Sequence, residues 1–138
     1  MTTYKLTHET DIQLGDYLNI AKPHKVTGIQ TSDGVLCIQT DKTDTYYSVE
    51  NYEPVPLTAK IIESNGIGWD EFHQTHRANF DGERIELYSG KGVLRRENKV
   101  WSLFIETNSR KVVLDEIRYV HELQHALRLA ELGKEVTL

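Results

Sequence analysis

The amino-acid sequence predicts a small α+β protein on three observations. Short segments rich in β-branched and aromatic residues recur along the chain, Asp-Gly pairs mark turns at two places between them, and the longest helical pattern lies near the C-terminus. We expect an N-terminal SH3-like β-barrel or curled sheet, a short connector helix, and an antiparallel sheet packed by a long C-terminal helix. The length of 138 residues fits one domain, which we subdivide into residues 1–53 and 54–138.

Short strands dominate the first 50 residues. Asp33-Gly34 is typical of a two-residue hairpin turn, because both central residues of such a turn need positive φ. Cys37 is the only cysteine, so the chain cannot form an internal disulfide, and we expect its thiol to be buried in a strand. The predicted strands are residues 17–20, 25–30, 35–39 and 45–49.

A proline-containing connector follows, with the sequence Glu53-Pro54-Val55-Pro56. Two prolines in three residues favour extended backbone and should not continue a strand ladder, so we expect the subdomain boundary here. Residues 57–64 then predict a short helix. Thr58 is a suitable N-cap, and Gly66 is a suitable C-terminal stop.

Residues 69–114 are predicted to form an antiparallel sheet, with a turn at Asp81-Gly82 and a second turn at residues 97–99. The segment 100–105 carries large apolar side chains on both faces, which predicts a central strand covered on both sides. The other expected strands are residues 84–88, 93–96 and 112–114.

The longest helix is predicted over residues 116–132. Asp115 and Glu116 lie where the helix dipole favours negative charge, and Gly133 lies where a helix commonly ends. Its sequence His121-Glu122-Leu123-Gln124-His125 has the H-E-x-x-H spacing of zinc metalloproteases. In that motif two histidines on one helix face bind Zn²⁺, and the glutamate acts as general base on the metal-bound water.

Two arguments weigh against a zinc site on this helix. The extended motif has a glycine at the position of Arg128, and that glycine breaks the helix and turns the third ligand back toward the metal. Because Arg128 favours helix instead, we expect Glu131 to stay on the helix and to point away from the His pair. With Ile117 at 0°, the two histidines fall near 40° and 80°, whereas the apolar stripe falls between about 220° and 300°. We therefore expect the histidines to face solvent. The stripe consists of Val120, Leu123, Leu127 and Ala130.

Three stretches of the chain share a further pattern: L-G-D-Y-L from Leu14, E-P-V-P-L-T from Glu53 and Y-V-H-E-L-Q-H from Tyr119. They resemble the I-G-N-Y-V, I-E-P-I-P-L-T and Y-V-H-Q-L-Q-N segments of short uncharacterised proteins encoded in Bacteroidetes genomes and their phages. In that family the positions of Glu122 and His125 carry Gln and Asn, which provide neither the general base nor the second His ligand. The resemblance implies a cytoplasmic protein of phage or mobile-element origin.

Other candidate sites are less complete. His73-x-x-His76 could pair two imidazoles, although we expect both to be solvated. Gly90-x-Gly92 is not followed by the G-K-[ST] of a phosphate-binding loop. An aromatic face could form from Tyr46, Tyr47 and Tyr52, for which we expect a mixed core and surface role. The basic residues of a predicted hairpin could bind nucleic acid, although a solvated charged ribbon is the usual meaning of such a run. They are Lys91, Arg95, Arg96, Lys99, Arg110 and Lys111.

Charge and hydropathy narrow the functional classes. A net charge of −5 argues against broad nucleic-acid binding, which needs a cationic surface. No stretch has the length and apolar character of a membrane span or a signal peptide, so we expect a cytoplasmic protein with no membrane partner. We expect no catalytic residue, cofactor or metal. The leading hypothesis is a non-enzymatic interaction protein that binds a host protein. The alternatives are a zinc hydrolase using His121, His125 and Glu122, and a nucleic-acid-binding protein using the basic hairpin of residues 91–111.

Overall fold

The computed structural model describes residues 12–80, 82–88 and 100–138. These residues form an α+β fold with two antiparallel sheets of five strands each and two α-helices, which confirms the predicted fold class. The chain divides between Val55 and Pro56 into two compact units. The predicted turn residue Asp81, the strand at residues 93–96 and the turn at residues 97–99 lie outside the described residues.

The first unit contains one open sheet with the strand order β4-β3-β2-β1-β5. Its strands β4 and β5 are only two residues long and lie at opposite edges, so the sheet does not close into the barrel that we allowed for. The sheet consists of β1 (Tyr17–Ile20), β2 (Lys22–Ser32), β3 (Val35–Thr40), β4 (Tyr47–Ser48) and β5 (Glu53–Pro54).

The hairpin between β2 and β3 follows the sequence prediction. Ser32 pairs with Val35, and the two residues between them, Asp33 and Gly34, have φ angles of 50° and 78°. Positive φ at both positions is the type I′ geometry that suits the twist of a two-residue hairpin. The apolar residues that alternate along these strands form the core of the unit with a short 3-10 turn. This core contains Ile12, Leu18, Val26, Leu36, Ile38, Val49 and Tyr52.

The proline connector differs from the prediction. Pro54 lies in β5 and pairs with Leu18, and Pro56 forms an isolated bridge with Tyr119. Both prolines therefore take part in strand pairing, which proline tolerates where its missing N–H faces away from the partner strand, as in the edge strand β5.

The second unit begins with the predicted short helix α1 (Ala59–Ser64). The Thr58 hydroxyl accepts a hydrogen bond from the backbone N–H of Ile61 at 3.3 Å, so the predicted N-cap is confirmed. Gly66 adopts a φ of 84° just beyond the helix. The sheet that follows has the order β10-β9-β8-β7-β6. It contains β6 (Gly68–Asp70), β7 (Thr75–Phe80), β8 (Glu83–Tyr88), β9 (Trp101–Glu106) and β10 (Lys111–Ile117).

Strand β9 lies inside the sheet, between β8 and β10. Its side chains Trp101, Leu103 and Ile105 are buried on one face, and the indole N–H of Trp101 donates to the Leu57 carbonyl at 3.0 Å. On the other face Phe104 is half-buried under the charged side chains of Arg84 and Lys111. The expectation of coverage on both sides therefore holds only in part, because charged side chains cover the second face.

The C-terminal helix α2 spans Val120–Leu129 and is shorter than the predicted 116–132. Asp115 and Glu116, expected at the helix start, lie in β10, which pairs with β9. Tyr119 is extended, and the Arg118 carbonyl accepts a hydrogen bond from Leu57 N–H at 2.8 Å. Strand pairing therefore overrides the helix preference of these residues. At the other end, Gly133 has a φ of 68°, beyond the end of the helix.

Gly66 and Gly68 allow a matched test of the positive φ at the end of α1. A Cβ at Gly66 or at Gly68 would meet no atom within 4 Å, but only Gly66 has positive φ. Gly66→Ala should lower the free energy of unfolding by about 1 kcal/mol, because L-residues are strained in the left-handed region. Gly68→Ala should change it by less than about 0.5 kcal/mol. Chemical denaturation measures both, and equal losses would contradict the assignment.

Candidate functional site

We predicted that the two histidines of the H-E-x-x-H segment face solvent, and the structure contradicts this. His121 is only 1% exposed, and His125 is half-buried. The expected apolar stripe is buried as predicted, but burial extends around the helix to His121 and Gln124. The helical-wheel argument was wrong for His121 because it assumed that neighbouring structure covers only one side of α2.

The rings around His121 form a short aromatic row. The Tyr119 ring stacks on His121 with the centroids 5.9 Å apart and the planes 11° apart. The His125 ring forms a T-shaped pair with the same imidazole, with the centroids 5.5 Å apart. The i and i+4 spacing therefore brings the two imidazoles together, as the motif requires, in a packed arrangement with Tyr119.

Glu122 has a structural role at the start of α2. Its Oε1 accepts hydrogen bonds from the backbone N–H groups of Arg118 at 2.9 Å and Tyr119 at 3.0 Å. This is the glutamate half of a capping box, which satisfies backbone donors that precede the first helical hydrogen bonds. The carboxylate that the protease motif would use as a general base is engaged with the backbone.

The expectation that Glu131 stays on the helix was wrong, because α2 ends at Leu129 and Glu131 adopts a φ of 57° beyond it. Glu131 forms an ion pair with Arg110 at 2.9 Å. Over residues 12–80, 82–88 and 100–138, no three His, Cys, Asp or Glu side chains come together in a group that could hold a metal ion. Within the described residues, the H-E-x-x-H segment therefore provides two adjacent imidazoles and a capping carboxylate.

The second histidine pair is separated by the fold. His76 is 0% exposed and lies between the rings of Trp69 and Trp101, with centroid distances of 5.2 and 5.4 Å. Its Nε2 lies 3.6 Å from a Glu63 carboxylate oxygen. The expectation that His76 is solvated was wrong, because its position in β7 points into the core. His73 lies on the exposed turn that precedes this strand.

Only Arg110 and Lys111 of the basic run lie within the described residues, and both contact other groups. The Arg110 guanidinium donates to the Leu129 carbonyl and to Glu131, each at 2.9 Å, which places a cation at the C-terminal end of α2. Lys111 lies 3.8 Å from Glu106 and above the Phe104 ring. The other members of the run and Gly90-x-Gly92 lie outside the described residues.

The outer face of the second sheet carries alternating charges that the sequence reading missed. Arg77 pairs with Glu86 at 3.3 Å, and Arg84 lies 3.7 Å from Glu86 and 3.8 Å from Glu106. These cations are neutralised by acids of the same face, which does not favour phosphate binding there. The period-two alternation of β8 held this signal, but the partners Arg77 and Glu106 come from other strands.

The three tyrosines have the mixed core and surface roles that we expected and do not form one aromatic face. Tyr52 is buried, and this burial raises the pKa of its phenol. The Tyr46 hydroxyl lies over Gly28, where a Cβ would come within 2.5 Å of it, whereas Tyr47 is 45% exposed. Cys37, expected to be buried, is only partly buried because its position in β3 alternates with the buried Leu36 and Ile38.

The turn between β6 and β7 presents an aromatic side chain that the sequence reading missed. Phe72 is 90% exposed, and its ring contacts the His73 ring at 4.9 Å. Asp70 orders the turn, because its carboxylate accepts from His73 N–H at 3.0 Å and its carbonyl accepts from Gln74 N–H at 2.8 Å. The available signal was an isolated phenylalanine among polar residues in Asp70-Glu71-Phe72-His73.

Comparisons with known proteins give no match for this chain among family models, curated proteins or solved structures. Among the helices of the described residues, none combines the length and the apolar character needed to cross a membrane. We therefore infer function from the geometry of the sites themselves.

Two substitutions of Glu122 distinguish a capping role from a catalytic one. Glu122→Ala should lower the free energy of unfolding by about 1 kcal/mol, because two backbone N–H groups lose their acceptor. Glu122→Gln keeps an acceptor oxygen and should stay within about 0.5 kcal/mol of the wild type. Denaturation of untagged protein measures both. Stoichiometric zinc, together with a hydrolase activity lost in Glu122→Gln, would contradict the capping interpretation.

The turn at Asp70 should lose stability in acid. The backbone N–H of His73, and then its imidazole 3.0 Å away, hold the pKa of the Asp70 carboxyl below its ordinary value. Since the folded pKa is depressed, the contribution of Asp70 is complete above about pH 4, the ordinary aspartate range, and is lost as pH falls through the folded pKa. An NMR titration should show this low pKa. His73→Ala should raise it only in part, because the backbone donor remains, and an unchanged pKa would contradict the role of the ring.

Proposed function

We propose that this protein is a non-enzymatic interaction protein that inserts Phe72 into an apolar pocket of a protein partner. The observation that carries the proposal is the 90% exposure of Phe72 on a hydrogen-bonded turn. Burying a phenylalanine side chain contributes roughly 1.5–3 kcal/mol, which the chain leaves unused at this position. Exposed aromatic side chains that enter a partner's pocket commonly dominate the energy of protein interfaces.

The turn that holds Phe72 is well suited to binding because it is already ordered. Beyond the Asp70 contacts, the Gln74 side chain donates to the Glu71 carbonyl at 2.6 Å, and Gln74 adopts a φ of 56°. These contacts define the backbone on both sides of Phe72. A partner would therefore spend little conformational entropy on ordering the turn, which favours affinity.

The charges beside Phe72 indicate the chemistry of the partner. Asp70 and Glu71 precede Phe72 in the turn and bring two carboxylates into it, and the whole chain carries a net charge of −5. Complementary charge raises the rate and the specificity of association. The partner that fits this turn has an apolar pocket with a basic rim.

The other candidate groups already make structural contacts, which supports a binding role over catalysis. Glu122 caps α2, His121 packs under Tyr119, and Arg110 contacts the end of the same helix. Each of these side chains already has a structural role. The resemblance to short Bacteroidetes and phage proteins suggests a phage or mobile-element origin and a host protein in the cytoplasm as the target.

The test compares two exposed apolar residues of the second unit. Phe72→Ser should lower the affinity for the partner at least thirtyfold, on the order of 2 kcal/mol, because it removes the side chain that fills the pocket. Leu129→Ser is the matched control, since Leu129 is also exposed, at 60%, but lies at the end of α2. The folding stability of both variants should match that of the wild type.

The experiment starts with capture of proteins from a Bacteroidetes lysate by the wild type and both variants, followed by mass spectrometry. A protein retained by the wild type and Leu129→Ser but lost with Phe72→Ser is then purified, and its dissociation constant is measured directly. Identical captured proteins for all three chains, or equal affinities of the purified partner, would exclude Phe72 as the binding residue.

A further inference from the structure

We propose that residues 134–138, here called the tail, occupy a groove that binds an extended, acidic-apolar segment of a partner protein. The groove is the surface beneath the tail, formed by Asn65 of the α1 cap, Ile67, Ile85 of β8, and Leu123, Leu127 and Arg128 of α2. It shares no residue with the Phe72 turn, so the proposal does not depend on the function of that turn.

The first contact in the groove recognises backbone only. The Asn65 side chain donates from Nδ2 to the Thr137 carbonyl at 3.0 Å and accepts from the Thr137 N–H at 2.7 Å. A second Nδ2 hydrogen bond, to the Ile61 carbonyl at 2.8 Å, holds the carboxamide in place. Because both bonds to the tail involve main-chain groups, any extended segment with a free N–H at this position could form them.

The second and third contacts recognise side chains. Val136 is only 4% exposed and lines the groove together with the apolar residues of β8 and α2. Arg128 pairs with Glu135 at 3.4 Å. The groove therefore selects an acidic residue, then an apolar residue, then a residue bound through its backbone.

The tail fills this groove incompletely. A cleft of about 90 Å³ remains beside Val136, bounded by Ile67, Ile85, Leu123 and Leu127. This space exceeds what one water molecule needs, and its walls are mostly apolar, so a larger apolar side chain would gain contacts there. A leucine or isoleucine at the position of Val136 should bind more tightly than the tail itself.

The tail can also leave without disrupting a regular element. Residues 132–138 form neither helix nor strand, and the backbone turns at Glu131, with a φ of 57°, and at Gly133. The tail is thus an intramolecular competitor that a better-fitting partner segment displaces. We assign the groove to a partner segment of the form acidic, Leu or Ile, any residue.

The experiment uses the full-length chain and two acetylated five-residue peptides, Lys-Glu-Val-Thr-Leu and Lys-Glu-Leu-Thr-Leu. Val136→Asp should release the tail by placing a charge in the apolar groove, while the groove residues stay unchanged. Thr137→Pro is a second release variant, because it removes the N–H that donates to Asn65. NMR spectra of both variants are recorded first, to check that they remain folded.

In the release variants, both peptides should shift the Asn65 side-chain amide and the Leu123 and Leu127 methyl signals. The leucine peptide should bind about threefold to fourfold more tightly, the gain expected for one additional buried methylene. The wild type should bind either peptide about tenfold more weakly, because its own tail competes at a high effective concentration.

Asn65→Ala, added to Val136→Asp, should abolish the shifts of the Leu123 and Leu127 methyl signals, whereas Asn79→Ala is the matched control on an exposed position of β7. Three outcomes of the binding measurements would overturn the proposal: no binding by either release variant, equal binding by wild type and release variants, or binding that survives Asn65→Ala. A wild-type dimer that Val136→Asp dissolves would assign the groove to the tail of a second copy and would also overturn the partner assignment.

Discussion

The second unit depends on the burial of helix α2. Six of its ten residues are buried, including the polar side chains of His121 and Gln124. The helix lies beside β10 and shares a cleft with Ile85 of β8, so its apolar side chains complete the core of the sheet. A helix of this length has little stability alone, and tertiary packing provides most of what it needs.

The burial of α2 explains why residues that the sequence suggested for chemistry have structural roles. A helix start at Val120 requires acceptors for the N–H groups before it, and Glu122 supplies one. The helix end requires a cation or donor, and Arg110 supplies it from the start of β10. Groups that satisfy a buried helix are costly to withdraw, so they are poor candidates for groups that bind and release a substrate.

The two surfaces that we assign to binding have the opposite character. Phe72 lies on a turn whose internal hydrogen bonds do not involve the phenyl ring, and the groove is occupied by a segment without regular structure. Neither change of state would require a core strand or helix to open. Interaction surfaces of proteins are commonly drawn from such regions of low local stability.

The sequence predicted the features that depend on neighbouring residues. Asp33-Gly34 formed its hairpin turn and Thr58 capped its helix, because φ preferences and capping bonds act within four residues. The sequence did not predict that Asp115 and Glu116 join β10, that His76 is buried between two indoles, or that Asn65 binds the backbone of a residue 72 positions away. Those outcomes depend on partners from distant segments, and only the tertiary structure decides which of them meet.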